Sequence, residues 1–162
     1  MNGWVFAASP DAVKEFLDGG GEYQPPPRLL TDLTEAQAVS IPPGSPYSIA
    51  QILAHMHFFP SAQIAKVRGE EWPQPQHLDD TFAPIAPGTW PTLVADFLTG
   101  VEACKTLAQE MADRTGPERE DTSVDYDLAE SALPNAYHFA RSCCCAGWQG
   151  FWPPVGGDTN DS

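Results

Sequence analysis

Between Thr89 and Met111, the residues Trp90, Leu93, Val94, Phe97, Leu98, Val101, Cys104, Leu107 and Met111 recur every three or four positions. That is the repeat of an α-helix with one apolar face along its whole length. Ile49, Ile52, Leu53, Met56, Phe59, Ile64 and Val67 repeat the pattern between Ser48 and Arg68. Such stripes must be buried against other helices, and no convincing strand alternation accompanies them, so the fold class expected is an all-α bundle. Ser48 and Thr89 are the N-caps expected for these two helices, with Gly69 and Gly116-Pro117 as their stops. Pro60 interrupts the first stripe and predicts a kink there.

The remaining segments are shorter. Ser9 to Leu17 predicts a short helix, capped by Ser9 and halted by Gly19-Gly20-Gly21. Pro25-Pro26-Pro27 predicts an extended entry. Arg28 to Ala38 is helical in pieces, with Leu29, Leu30 and Leu33 on one edge and Thr34 capping a second turn. Ile41 to Pro46 is a loop, Glu70 to Gly88 an acidic, proline-broken loop, and Glu118 to Asp125 another. A last helix begins near Asp127. All of this suits one domain over residues 1–162.

The net charge of −14 repels phosphate backbones and anionic membrane surfaces, which argues against nucleic-acid and membrane partners. No apolar run approaches the roughly 20 residues that span a bilayer. The N-terminus has neither a basic start nor a long apolar centre, so the expected location is cytoplasmic. Cys143, Cys144 and Cys145 are consecutive and point three ways on a helix, unlike the spaced cysteines of zinc sites. Cys104 falls in an apolar stripe, as a small core residue. No Gly-rich phosphate loop or nucleophile elbow is present. The pairs Glu70-Glu71 and Asp79-Asp80 read as solvating charge.

Histidine is the residue type left for a site. His55 and His57 are two positions apart, about 200° around a helix, so both cannot face one ion. They flank the apolar stripe about equally, and periodicity does not choose between them. His77 lies in a proline-rich loop and is expected to be solvated.

Near the C-terminus stands Asn135-Ala136-Tyr137-His138, followed by Trp152-Pro153-Pro154 with Gly156, Gly157 and Asp158. This grouping resembles the last helix of the DinB-like (YfiT-like) metal-binding four-helix bundles. The segments Pro46 to His55, Gly69 to Pro73 and Trp90 to Gly100 share the likeness, whose core spans residues 28–159 and leaves 1–27 divergent. The resemblance implies an up-down four-helix bundle with long loops that forms homodimers. It also implies one divalent metal (nickel, zinc or iron) held by three histidines, one from the second helix and two spaced by four on the last. Neutral imidazoles at i and i+4 share a helical face and can grip one such ion. The second-helix ligand carries over to His55 and one last-helix ligand to His138. The third position is Pro134, which cannot coordinate. Glu130, one turn earlier, is a candidate carboxylate ligand or a solvated acid near a helix N-terminus.

Between His138 and Trp152 the family pattern fails in a particular way. One permitted back-translation of Ala140 to Gly147 is GCC AGA TCG TGC TGC TGC GCC GGG. Read from the last base of its first codon, it encodes Gln-Ile-Val-Leu-Leu-Arg-Arg, the apolar segment the family carries there. The hypothesis of a shifted reading frame over 139–151 is tested by the coding DNA, since codons incompatible with that reading end it. As written, the cysteines and Gly147 fill a core face less well than leucines, so the segment is expected to fray beyond His138.

Two functions follow as expectations. One is a metal-dependent enzyme, a hydrolase or a transferase acting on a small molecule with a low-molecular-weight thiol. The other is a degenerate, non-catalytic bundle that has lost its three-histidine site.

Overall fold

Tyr47-Ser48 turns the chain from a proline-rich loop into its central helix, and the turn is built from local hydrogen bonds. In the computed structural model, which describes residues 26–72 and 74–115 together with Asp11, Lys14, Glu15, Leu17, Tyr137, His138, Arg141, Ser142 and Gly150, Ser48 is extended. Its hydroxyl accepts from the Gln51 backbone N–H, while the Gln51 side chain accepts from the Ser48 N–H at 3.1 Å. This reciprocal capping satisfies two donors that the first helical turn leaves open. The helix it starts runs from Ile49 to Arg68 and ends at Gly69, whose φ of 70° is a left-handed conformation that glycine adopts without strain.

Four α-helices are described over these two stretches: α1 (Pro26–Thr31), α2 (Glu35–Ala38), α3 (Ile49–Arg68) and α4 (Trp90–Thr115), with a 3₁₀ turn (Leu78–Phe82) between α3 and α4. Among the described residues there is no strand. The fold is all-α. No helix among these residues is long and apolar enough to cross a membrane.

α3 packs chiefly on α4 and also touches the 3₁₀ turn, while α1 and α2 lean on α4. Ile49, Ile52, Leu53 and Met56 from α3 meet Trp90, Phe97, Val101, Cys104 and Ala108 from α4 in one core, which Leu17, Leu30, Leu33 and Ala38 complete. The two stripes are therefore buried against each other, and Cys104 is a buried free thiol whose pKa burial pushes up to about 11. The Trp90 indole N–H donates to the Leu33 carbonyl at 3.0 Å, pinning the start of α4 to the end of the α1–α2 connection. Thr34 caps α2 through a second reciprocal pair with Gln37.

Three local expectations change. Pro26 and Pro27 open α1 in place of an extended entry, because the first helical turn has no use for the N–H groups proline lacks. Thr89 occupies the cap position of α4, its carbonyl accepting from Leu93, but its hydroxyl donates back to Ala86 at 2.6 Å. The stretch from Glu70 to Gly88 is not loop throughout, since it contains the 3₁₀ turn. There Asp80 accepts from the His77 N–H at 2.9 Å, so this acid caps a helical turn. α3 passes through Pro60 as one helix, with the proline ring buried. The expected helix over Ser9 to Leu17 is described at Asp11, Lys14, Glu15 and Leu17, all helical. Glu130, Pro134, the consecutive cysteines and Trp152-Pro153-Pro154 lie outside the described residues.

Candidate metal centre

His55 sits in the second turn of α3, 5% exposed, and each side of its ring has a defined neighbour. The Nδ1 atom is 2.6 Å from the Thr81 hydroxyl oxygen. That hydroxyl donates its single proton to the Leu78 carbonyl, also at 2.6 Å. With its proton spent, Thr81 can only accept from the imidazole, so His55 carries its proton on Nδ1 and keeps the lone pair on Nε2. A second hydrogen bond that fixes the tautomer in this way is how metal-ligating histidines are oriented.

The face of the imidazole is fixed as firmly as its edge. Phe82 stacks on it with centroids 3.8 Å apart and planes at 11°, and Tyr47 stacks on the far side of Phe82 at 4.1 Å and 8°. The Arg141 guanidinium lies 5.8 Å from the Tyr47 ring centroid, a cation–π contact that closes the column. Phe59, one turn along α3 from His55, presents itself edge-on at 5.0 Å. Gln51 ties these parts together: the residue that caps α3 also donates from Nε2 to the Phe82 carbonyl at 2.9 Å.

His138 completes the pair. Its ring centroid is 4.7 Å from that of His55, the planes at 73°, and its Nδ1 is buried without a hydrogen-bond partner. Burial lowers the pKa of both histidines. The neighbouring His138 helps push His55 down to about 4, and the Arg141 guanidinium acts in the same direction on His138. Both rings are therefore neutral at neutral pH, the form that donates a lone pair to a metal.

His57 is carried to the other side of α3, where its Nδ1 faces Gly100 of α4 and is buried without a partner. His55 and His138 are thus together and His57 is apart from them. His77 is exposed. Among the described residues no group of three or more His, Cys, Asp or Glu side chains is arranged to hold a metal. The lone pair that this tautomer leaves on His55 Nε2 and the unpartnered buried Nδ1 of His138 are neutral imidazole donors, the chemistry a divalent nickel, zinc or iron ion takes.

Thr81, Phe82 and Tyr47 are the site residues that sequence reasoning misses. Their signal is faint: Leu78 and Phe82 stand four apart in a stretch otherwise marked by prolines and acids, and Asp80 stands three after His77, the spacing of a cap.

Residues 27–140 match the family model of the DinB superfamily, and the chain belongs to that superfamily. Neither a curated protein nor a solved structure matches it.

Proposed function

We propose that the protein is a DinB-type four-helix bundle that binds one divalent ion (nickel, zinc or iron) through His55 and His138, leaving coordination positions open to solvent or substrate. The observation that carries this reading is the 4.7 Å pairing of two neutral imidazoles, His55 buried and His138 half-buried, one with its tautomer set by Thr81. When bound, such an ion supplies Lewis-acid activation of a water or a thiol. The chain's own residues do the rest. Thr81 holds the proton on Nδ1 of His55, Phe82 and Tyr47 fix the ring plane, and Phe59 keeps one edge apolar. On this reading the protein is a metal-dependent hydrolase or thiol-dependent transferase of a small organic substrate, and works as a homodimer.

A second reading has its own support. Proline at position 134 removes the ligand that the resemblance supplies there, and two histidines hold an ion less tightly than three. A bundle that retains the fold without metal chemistry is consistent with that loss.

Metal analysis separates the two. Purified protein should retain nickel, zinc or iron in stoichiometric amount, or take up nickel in a calorimetric titration, and His55→Ala and His138→Ala should each abolish uptake. Pro134→His should tighten it. Protein that binds none of the three metals, yet binds one after Pro134→His, supports the degenerate bundle.

A further inference from the structure

Arg141 stands at the outer end of the ring column that holds His55. Its guanidinium lies 5.8 Å from the centroid of Tyr47, Tyr47 stacks on Phe82, and Phe82 stacks on His55. It also stands three residues after His138, and both residues are helical. That spacing puts two side chains on one helical face, with about 5–6 Å between Cβ atoms. The charge is felt at the site: burial, and then the Arg141 guanidinium, hold the His138 imidazole below its ordinary pKa. One cation thus borders the histidine pair twice, along the column and along the helix.

That cation has no counter-ion. The chain carries 22 acidic residues against 8 basic ones, yet Arg141 makes no ion pair and no hydrogen bond with any described residue. Its cation–π contact satisfies none of the five N–H donors of the guanidinium. The side chain is half-buried, so these donors are held beside the site without being sealed into the core. A guanidinium is a planar fork that takes a carboxylate through two parallel hydrogen bonds. An ion bound at the histidines adds a second positive charge beside it, and the two repel unless an anionic ligand is shared between them. One guanidinium balances one negative charge, which suits a carboxylate better than a dianionic phosphate.

We propose that Arg141 anchors the substrate of this site, and that the substrate is a small organic acid whose carboxylate pairs with the Arg141 fork while the rest of the molecule reaches the histidine pair. This rests on the reading of the histidine pair as the functional site, but the anion-binding step needs no metal and is measured without one. Arg141 is then a binding residue. It sets which molecules enter and how they are oriented, and takes no part in bond making.

The test is a titration of the metal-free protein with butyrate at constant ionic strength, compared with butyramide, its uncharged counterpart of nearly the same shape. The Arg141 Nε–H and His138 imidazole resonances report binding, each identified by its loss in Arg141→Gln or His138→Ala. Butyrate should move both saturably, in the millimolar range of a single charge-assisted pair, and butyramide should bind at least about tenfold more weakly. Arg141→Gln, followed at His138, should weaken butyrate about tenfold or more, and Arg141→Lys should recover part of the loss. Lys105→Gln, which removes a lysine paired with Glu102 on α4, should leave butyrate affinity within about twofold. Nickel loading should tighten butyrate binding about tenfold. Equal affinity for butyrate and butyramide would overturn the proposal, as would unchanged affinity in Arg141→Gln or an equal loss in Lys105→Gln. Nickel uptake that leaves butyrate affinity unchanged would set the anion apart from the histidines and overturn the anchoring role. Should Arg141→Gln unfold, judged by loss of spectral dispersion, the contrast of butyrate with butyramide at the wild-type Arg141 resonance decides. Protein that takes up no nickel yet binds butyrate through Arg141 loses the metal reading and keeps the anion site.

Discussion

The Nδ1 of His55 and the hydroxyl of Thr81 lie 2.6 Å apart, and the threonine's own proton is already given to Leu78. Thr81 therefore dictates where the imidazole proton sits. Thr81→Val should leave Nδ1 buried and unpaired, costing about 1–3 kcal/mol of stability. Nickel affinity should fall about 10–100-fold, the usual effect of losing the group that orients a ligating histidine. Thr81→Ser should recover most of both. Urea unfolding and calorimetry measure the two effects, and a valine variant with wild-type values in both would refute the role.

The lowered pKa of His55 makes stability depend on pH with a definite sign. Its value of about 4 in the folded protein lies below the ordinary 6.5, so between those values the unfolded chain binds more protons. Stability is then full above about pH 6.5 and declines as pH falls toward 4. At about 1.4 kcal/mol per pH unit, His55 accounts for up to about 3 kcal/mol of the decline, and His138, also lowered, acts in the same sense. Urea melts at pH 7 and pH 5 should show the loss, and His55→Leu should reduce it. Equal stability of the wild type at the two pH values would contradict the burial of these rings.

Gly100 is the weak point of α4, and it is not needed for space. A methyl group added there would meet only His57 Nδ1 at 4.0 Å, an ordinary contact, and the backbone is not left-handed. Gly100→Ala should accordingly stabilise the protein by about 0.5–1 kcal/mol. A lower urea midpoint for the variant would show that α3 and α4 approach more closely than this.

Trp90 joins α4 to the N-terminal half through a hydrogen bond as well as through its buried ring. Trp90→Phe keeps most of the apolar contact but leaves the Leu33 carbonyl without its donor. A loss of about 1–3 kcal/mol is expected. If chemical denaturation detects none, solvent reaches that carbonyl in the variant.

What could be read from the sequence follows the range of the interactions involved. The caps Ser48, Thr34 and Gly69 were legible because the groups they satisfy lie within a few residues of them. The stripes of α3 and α4 were legible because helical burial has a period. His55 and His57 flank the α3 stripe symmetrically, so nothing local separates them. The distinction comes from the 3₁₀ turn, which reaches His55 through Thr81 and Phe82, and from Gly100, beside His57. The turn itself was hidden because its local bonds, Asp80 to the His77 N–H and Thr81 to Leu78, sit in a proline-broken acidic stretch, and the bond that ties it to α3, from Gln51 to the Phe82 carbonyl, is remote. The second histidine of the pair was legible only through its neighbours Asn135, Ala136 and Tyr137, a family pattern that helical periodicity does not predict.

That bond from Gln51 divides the connection between α3 and α4 into two lengths of unequal freedom. Beyond the turn, Thr89 is tied to Ala86 and the Gly88 N–H donates to Glu35 at 2.7 Å, so the chain has little slack before Trp90. Ahead of the turn, Gln74 and Gln76 are exposed. A foreign domain fused between Gln74 and Gln76 should leave the bundle folded, because lengthening an exposed connection costs little closure entropy. The same cargo spliced between Pro84 and Ala86 would have to tear the floor away from His55. The molecule thus offers a natural seam for attaching other proteins on one side of the turn only.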